Sequence, residues 1–535
     1  MHSSDLQLAD HSPDVILLSP PTPDFSAVYS AENLGLGYLA ATLRREGYTV
    51  RLLDSILEEF SVHQALQTLM DIGEPILLGF SLLSSCQYQQ AKEIFRTLRQ
   101  HGWKCHVTAG GMFATYWCET LLAEQACDSV ICFEGERTLL TLMERLKRGQ
   151  SFGDVPGLVV ATGRQPATPI CPPLIEDLDW LPFPARDYLP LVLEYGLPCT
   201  VSASRGCSYG RCQFCAVATF HQTRGRATYR FRSASSVTDE LSKLRQEYDV
   251  SFVFFVDDDF LGRGQAEIER LIAEIQARKL GLNFAINCRV DDVQFELFSM
   301  LREVGLVAAY IGIESGAQSA LDRYHKGVNA DQGLQAAEIL RDLDIKLIPS
   351  IILFDPFTTL EEIKANIHFL RQLGGFHITY LKMVDPMRGT ALVEVLQRQG
   401  LIRQVGTDYR YISKDPRVEL LRRMITTDYR PMTQGLLELI YPLWYWMLGH
   451  SGARDTSIKN RIEDAVRRIL NQDLYFLEQA IRCIEYSDLS SYYHILADTE
   501  SEFQRIRREL RVIHHTIAHR HDQVHIASGI TDSAL

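Results

Sequence analysis

Short apolar runs alternate with helical patterns from the start of the chain. The run at 14–19 reads as a buried strand, followed by a Pro-rich loop (Pro20, Pro21, Pro23) and a helix at 35–46 that Gly47 caps. Further strands are expected at 49–53, 75–81, 105–109 and 129–133, with helices at 62–70, 88–101 and 136–148. Strands that alternate with helices join by right-handed crossovers into a parallel sheet. Residues 1–165 are therefore expected to form a doubly wound, Rossmann-like α/β domain of about five strands. Such a domain binds ligands at the carboxyl ends of its strands.

Residues 166–195 are rich in proline (Pro166, Pro169, Pro172, Pro173, Pro182, Pro184, Pro190) and read as an extended linker. The alternation restarts at Pro198, with strands expected at 198–204, 252–256, 283–288, 307–312, 346–353 and 377–383. Six β/α units in residues 196–400 predict a partial (β/α)6, TIM-like barrel. Beyond 400 the strand signals fade, and 401–535 reads as a helical C-terminal domain with amphipathic stretches at 458–485 and 498–521.

Composition changes this picture little. A 535-residue chain with 46% hydrophobic and 23% charged residues is an ordinary multidomain globular protein. A net charge of −13 argues against nucleic acid as a partner, because binding phosphate backbones needs a basic field. The polar start shows no secretory signal, and the best apolar run, 436–448, suits a buried helix and is too short to span a bilayer.

Twelve cysteines without a secretory signal argue against a disulfide framework. Nine are scattered (Cys86, Cys105, Cys118, Cys127, Cys132, Cys171, Cys199, Cys288, Cys483) and read as small buried hydrophobes. Cys207, Cys212 and Cys215 fall within nine residues as C-x4-C-x2-C, just after an expected strand. Three soft thiolates on one Gly-containing loop suit an iron–sulfur cluster or zinc. Structural zinc normally takes four protein ligands, and His221 lies outside the usual spacing. Spacing alone also leaves three unligated thiols open. The histidines at 514, 515, 519, 521 and 525, set among arginines, read as a solvated face.

With these residues in view, the chain resembles the radical S-adenosylmethionine (SAM) superfamily, in the branch that carries an N-terminal cobalamin-binding domain. The resemblance implies that Cys207, Cys212 and Cys215 hold a 4Fe–4S cluster whose open iron chelates SAM, and that Phe214 is the aromatic residue preceding the last cysteine. The family's usual spacing is C-x3-C-x2-C, so this loop is one residue longer. The resemblance further implies SAM contacts from Asp257 and Asp258 after strand two, Arg289 after strand three, and Gly312 and Glu314 on strand four. An Asp at a strand end also caps helices, and an Arg there also forms surface ion pairs. Segments 348–355 and 385–390 match the family's fifth strand and its Pro-x-x-Gly-Thr turn.

In the N-terminal domain the matching pieces include Pro20, Pro21, Leu36, Gly37, Tyr38, Ser81, Gly110, Gly111, Glu134 and Gly135, expected to cradle cobalamin. No Asp-x-His-x-x-Gly motif occurs, so base-off, His-off cobalamin is implied. The implied activity is reductive SAM cleavage to a 5′-deoxyadenosyl radical and methylation of an unactivated carbon of a small molecule. A non-methylating rearrangement, cyclisation or ring contraction, and a corrinoid or redox sensor, are the alternatives. No further catalytic residue is singled out. A reductase or a flavodoxin- or ferredoxin-type electron donor, a cytoplasmic setting, and neither nucleic acid nor membrane as partner complete the expectation.

Overall fold

The structure, a computed structural model, describes residues 12–22, 31–160, 174–223, 226–374, 381–449, 456–488 and 490–520. Cys171, most of the predicted sixth barrel strand, four of the linker prolines, His521 and His525 lie outside the described residues. The chain forms two compact units, Met1–Leu191 and Val192–Leu535.

The first unit holds six strands: β1 (Val15–Ser19), β2 (Val50–Asp54), β3 (Leu77–Ser81), β4 (His106–Gly110), β5 (Ser129–Ile131) and β6 (Leu158–Val160), in the order β2-β1-β3-β4-β5-β6. The first five are parallel, and β6 adds antiparallel to β5. This sixth strand has only three residues and escapes a periodicity reading. The order reverses at β1, so the crevice between the carboxyl ends of β1 and β3 is the topological switch point where such sheets bind ligands. Asn33 fixes the start of the first helix, Leu34–Arg45, by accepting from Leu36 N, and its Nδ2 also donates to Ser81 Oγ (3.2 Å) at the end of β3. That helix buries Leu36, Ala40 and Leu43 against Val15, Leu17, Leu52 and Leu77.

The described part of the expected linker is not a free tether. Ile175, Leu178 and Leu181 pack against Tyr38. Arg186 pairs with the buried Glu32 (2.5 Å), and Arg44 grips Asp187 with both guanidinium nitrogens (2.7 and 2.8 Å). Prolines here shape a strap whose apolar side chains the first unit buries, so the compact boundary falls after Leu191.

In the second unit five parallel strands run in chain order across one sheet: Cys199–Val201, Phe252–Phe255, Asn283–Arg289, Leu306–Glu314 and Lys346–Ile351. At the sixth position a single parallel bridge joins Phe354 to Met383. Helices Ala234–Tyr248, Gln265–Arg278, Phe295–Glu303, Ala330–Asp342 and Leu360–Leu373 separate the strands. Capping boxes at Asn329 and Thr359 start the last two. The C-terminal region is largely helical, as expected, and its one departure among the described residues is an antiparallel hairpin of Ile402–Val405 and Asp408–Tyr411. Its side chains are mostly exposed, which is why it carries no apolar alternation.

After a helix at Pro416–Met424 and a π-helical turn at Ile425–Tyr429, three long helices follow: Arg430–Gly449, Thr456–Glu485 and Tyr492–Arg520. They close around Tyr429, whose ring meets Phe476 (4.1 Å between centroids) and Phe503 and whose hydroxyl donates to the buried Asp473. The apolar run 436–448 is core, including Trp444 and Trp446. Asn283 Nδ2 donates to Leu448 O (2.9 Å), tying this helix to the barrel sheet. The histidine face is partly buried: His515 is exposed, whereas the half-buried His514 bonds Leu439 O (2.7 Å).

Candidate active site

The cysteine loop is delivered by a backbone that requires glycine. Ser204–Gly206 pairs antiparallel with Tyr229–Phe231, and at Gly206 (φ +89°) a Cβ would overlap the carbonyl oxygen of Thr228. Beyond Cys207, Ser208 donates to Asp259 through its N–H (3.0 Å) and hydroxyl (2.6 Å), and Cys207 Sγ lies 3.7 Å from the same carboxylate oxygen.

Tyr209, in the lengthened segment, is docked on three sides. Its hydroxyl donates to His325 O (2.6 Å), its ring carries the Arg289 guanidinium 3.9 Å from the centroid, and Gly327 leaves room where a Cβ would come 2.5 Å from the hydroxyl. Gly210 then turns the chain with φ +57°. On the far side Cys215 N donates to Cys212 O (3.2 Å), Gln213 N donates to Tyr324 O (3.0 Å), and Phe214 meets the Tyr324 ring edge-on.

Cys207, Cys212 and Cys215 all line one cavity of about 440 Å³. Among the described residues no three His, Cys, Asp or Glu side chains converge as on a single metal ion. The thiols stand around the cavity, an arrangement that suits a 4Fe–4S cluster, in which each cysteine takes a different iron. Burial pushes all three thiols up, Cys215 to about 11. A thiolate there needs a compensating cation, which iron provides.

The strand ends divide their acidic residues between frame and cavity. Asp257 is fully committed: it accepts from Ala203 N (3.1 Å to each oxygen) and from Ser204 Oγ, and it does not line the cavity. Asp258 does line it, with its side chain open to the cavity, and the surrounding protein walls together with its neighbours Asp257 and Asp259 raise it to about 7. Arg289 reaches the cavity between Tyr209, Asp291 (2.9 Å) and Lys326 O (3.2 Å).

Glu314, at a left-handed backbone position (φ +68°) where the ladder shifts register, pairs with Lys326 at 2.9 Å. Both side chains are only 7% exposed. Gly312 makes room for the pair, since a Cβ there would come 2.7 Å from Lys326 Nζ. Of the expected SAM contacts, Phe214, Asp258, Arg289, Gly312 and Glu314 share the cavity with the three cysteines.

Other wall residues carried no sequence signal for this role. Cys288 read as a scattered core thiol; it is buried and also faces the cavity. Lys326 and Lys382 come from segments that carry no chemical motif, and Tyr441 and Trp444 come from the apolar helix expected as core. Asn287 Nδ2 donates to Asp257 O (3.0 Å), locking two strand ends together.

In the first unit, Pro20 and Pro21 are buried just past β1, Ser81 ends β3, and Gly110 ends β4 with Gly111 next to it. Gly111 (φ +97°) leaves a Cβ position 2.6 Å from Leu82 O, so only glycine allows this close turn. Leu83, just past β3, is 58% exposed, an apolar side chain left open at the sheet's ligand-binding end. Other expected contacts serve packing: Leu36 and Tyr38 are buried, and Gly37 lets the Pro184–Ala185 backbone approach. Glu134 is buried and accepts from Ile175 N (2.9 Å), with Gly135 half-buried beside it.

Comparison with known proteins agrees with both halves. Residues 201–370 match the Radical SAM superfamily, and residues 24–143 match the B12 binding domain. The chain is 26% identical over 415 residues to an uncharacterized methyltransferase of Pyrococcus horikoshii, covering 76% of this chain and 88% of that protein. It is 27% identical over 439 residues to hopanoid C-3 methylase of Methylococcus capsulatus, covering 79% of each. Among solved structures it superposes on the cobalamin-dependent SAM radical enzyme OxsB with aqua-cobalamin bound. The TM-score is 0.71 at 17% identity, covering 97% of this chain and 83% of that one. The chain thus resembles the cobalamin-dependent radical SAM enzymes and carries their two domains. The radical SAM domain implies a 4Fe–4S cluster and SAM, and the B12-binding domain implies cobalamin.

Proposed function

We propose that this chain is a cobalamin-dependent radical SAM methyltransferase acting on an unactivated carbon of a small-molecule substrate. The observation that carries the reading is the set of three thiols, on the loop after the first barrel strand, that open into one cavity with Asp258 and Arg289. When bound, the cluster and SAM supply a 5′-deoxyadenosyl radical that removes an unactivated hydrogen, and cobalamin supplies the methyl group.

The chain's own residues bind, orient and exclude water. Cys207, Cys212 and Cys215 hold the cluster and leave one iron for SAM. Asp258, on the cavity wall, would accept a hydrogen bond from the methionyl amino group of SAM. Arg289, already oriented by Tyr209 and Asp291, offers its remaining donors to the SAM carboxylate. Glu314 and Gly312 shape the adjoining wall, while Tyr441 and Trp444 keep it dry. Asp257 serves as frame. In the first unit, Ser81, Gly110, Gly111 and the exposed Leu83 form the surface for base-off, His-off cobalamin. We place the enzyme in the cytoplasm, served by a flavodoxin-, ferredoxin- or reductase-type electron donor. Among the described residues no helix is long and apolar enough to cross a membrane.

The test is anaerobic reconstitution with iron, sulfide and hydroxocobalamin, comparing wild type with the Cys207/Cys212/Cys215→Ala triple variant. About four irons per chain, absent from the variant, with cobalt retained in both, is the expected result. Under reductant with substrate, S-adenosylhomocysteine beside 5′-deoxyadenosine marks methylation. 5′-Deoxyadenosine alone would replace it with a rearrangement, and intact SAM would point to a sensor.

A further inference from the structure

The surface that backs the cysteine loop is cationic in an acidic chain. The chain carries a net charge of −13, yet residues 195–238, which include the loop, hold six arginines and no Asp or Glu. Residues 398–414 hold Arg398, Arg403, Arg410 and Lys414 against one acid, Asp408. The fold brings these two segments together. Leu392 N donates to Gln213 O (2.9 Å), so the helix Ala391–Arg398 starts on the loop between Cys212 and Cys215. Phe214 of the loop and Leu401, Ile402 and Tyr411 pack against one apolar cluster that contains Tyr324 and Leu392. The hairpin of Ile402–Val405 and Asp408–Tyr411 is thus seated beside the cysteine loop.

Register fixes which way the charges of this hairpin point. Ile402 pairs with Tyr411, and Arg403 pairs directly with Arg410. Side chains alternate along each strand, so with Ile402 and Tyr411 turned to the apolar cluster, Arg403 and Arg410 share the opposite face. Both are exposed. Like charges set directly opposite each other destabilise neighbouring strands, and a two-stranded hairpin has little stability to spare. The fold alone would do better with neutral residues here. A carboxylate placed between the two guanidinium groups removes their repulsion and accepts their planar donors. Arg211 in the loop, Arg398 before the hairpin and Lys414 after it are exposed too, and they widen the positive field.

Reductive cleavage of SAM needs one electron from outside the chain. We infer that the face presenting Arg403 and Arg410 docks an acidic one-electron carrier protein, whose surface carboxylates bridge the two guanidinium groups. One electron passes from the reduced carrier to the cluster and leaves the carrier oxidised by one electron; no bond or proton moves with it. The inference rests on the proposed radical SAM reading and supplies the surface its electron donor meets. Complementary charge acts on the rate and orientation of encounter more than on affinity, so its signature is a salt-dependent rate.

The full chain, reconstituted with iron, sulfide and hydroxocobalamin, is mixed anaerobically in a stopped-flow instrument with photoreduced flavodoxin or with reduced ferredoxin, at low and at high salt. Wild type is compared with Arg403→Gln/Arg410→Gln and Arg403→Glu/Arg410→Glu. The wild-type rate of cluster reduction is expected to fall as salt rises. At low salt the Glu variant should be slower by at least about tenfold, with the Gln variant between, and the three should converge at high salt. Because neutralisation removes a like-charge pair, the Gln variant should melt no lower than wild type and keep its iron and its dithionite-reduced electron paramagnetic resonance signal. A wild-type rate indifferent to salt, or variants reduced as fast as wild type at low salt by both carriers, would overturn the inference. Loss of iron or a lower melting temperature in the Gln variant would make the pair a support of the fold and overturn it too. A chain that holds cysteine-dependent iron and cleaves SAM with dithionite but shows no arginine effect refutes the docking surface alone, whereas one without cysteine-dependent iron refutes the proposed function.

Discussion

Replacing Lys326 by methionine isolates the buried pair in the cavity wall. Methionine keeps most of the volume and removes the charge, leaving Glu314 buried. The pair is 2.9 Å apart with both side chains 7% exposed, so solvent screens it little. At an effective dielectric near 20 the attraction is ~6 kcal/mol, part of which offsets the cost of burying both ions. Orphaning one partner of such a pair costs ~3–5 kcal/mol.

Protonation caps this loss. A carboxylate that titrates at about 4.3 when unfolded gives up ~4 kcal/mol at pH 7 if it must fold neutral, and ~1.4 kcal/mol less for each pH unit below that. The sign follows from proton uptake: the folded variant binds a proton that the unfolded chain releases, so its stability rises as pH falls. Thermal and urea unfolding of Lys326→Met at pH 8, 7 and 6 should show a large deficit that shrinks with acid, and Lys326→Met/Glu314→Gln should recover most of it at pH 8. A variant within ~1 kcal/mol of wild type at pH 8, or a deficit that ignores pH, would refute the reasoning.

Three further outcomes are expected. Gly206→Ala places a Cβ on the Thr228 carbonyl at φ +89°, and iron bound after reconstitution should fall below half of wild type while far-UV circular dichroism is retained. Tyr209→Phe loses one hydrogen bond, about 1 kcal/mol, and should leave the cluster's electron paramagnetic resonance signal unchanged. Tyr209→Ala also frees Arg289 and should alter that signal and weaken SAM binding, which equilibrium dialysis reads. Asp473, raised by burial to about 7 although Tyr429 donates to it, makes wild-type stability fall as pH rises from about 4 to 7. Asp473→Asn should lack that fall, so its unfolding free energy, read by urea titration, should gain on wild type with rising pH, by up to ~4 kcal/mol at pH 8.

The alternation of apolar runs with helices was legible because parallel strands buried on both faces read as continuous hydrophobic segments. This served for β1 to β5 and for the first five barrel strands. Three-residue β6 is buried but too short to leave a pattern, and the hairpin at 402–411 is too exposed. The cysteine loop was legible because its chemistry is local in sequence. The rest of the wall was not, because Lys326, Lys382, Tyr441 and Trp444 meet the loop only through the fold. Asp257 and Asp258 look equivalent in the sequence, but alternation along an extended segment sends them opposite ways: one to Ala203 and Ser204, the other into the cavity. Among the expected cobalamin contacts, Gly37 and Gly111 both admit a close approach of the chain's own backbone, a requirement that the sequence alone does not separate from a ligand's.

The added residue between Cys207 and Cys212 would matter if the lengthened segment were free to move, because thiol positions would then vary with the loop. The structure gives that segment its own anchors. Ser208 is bound to Asp259, and Tyr209 is held between Gly327, His325 and Arg289. Gly210 reverses the chain before Arg211, which is exposed. The extra length is thus taken up by a docked aromatic ring, while Cys212 and Cys215 remain fixed by Tyr324 and by their own turn. Tyr209 also orients Arg289, so the insertion couples the loop to the proposed SAM-carboxylate site. Loop and arginine should therefore fail together in Tyr209→Ala and separately in Arg289→Lys, in which the loop keeps its anchor at His325.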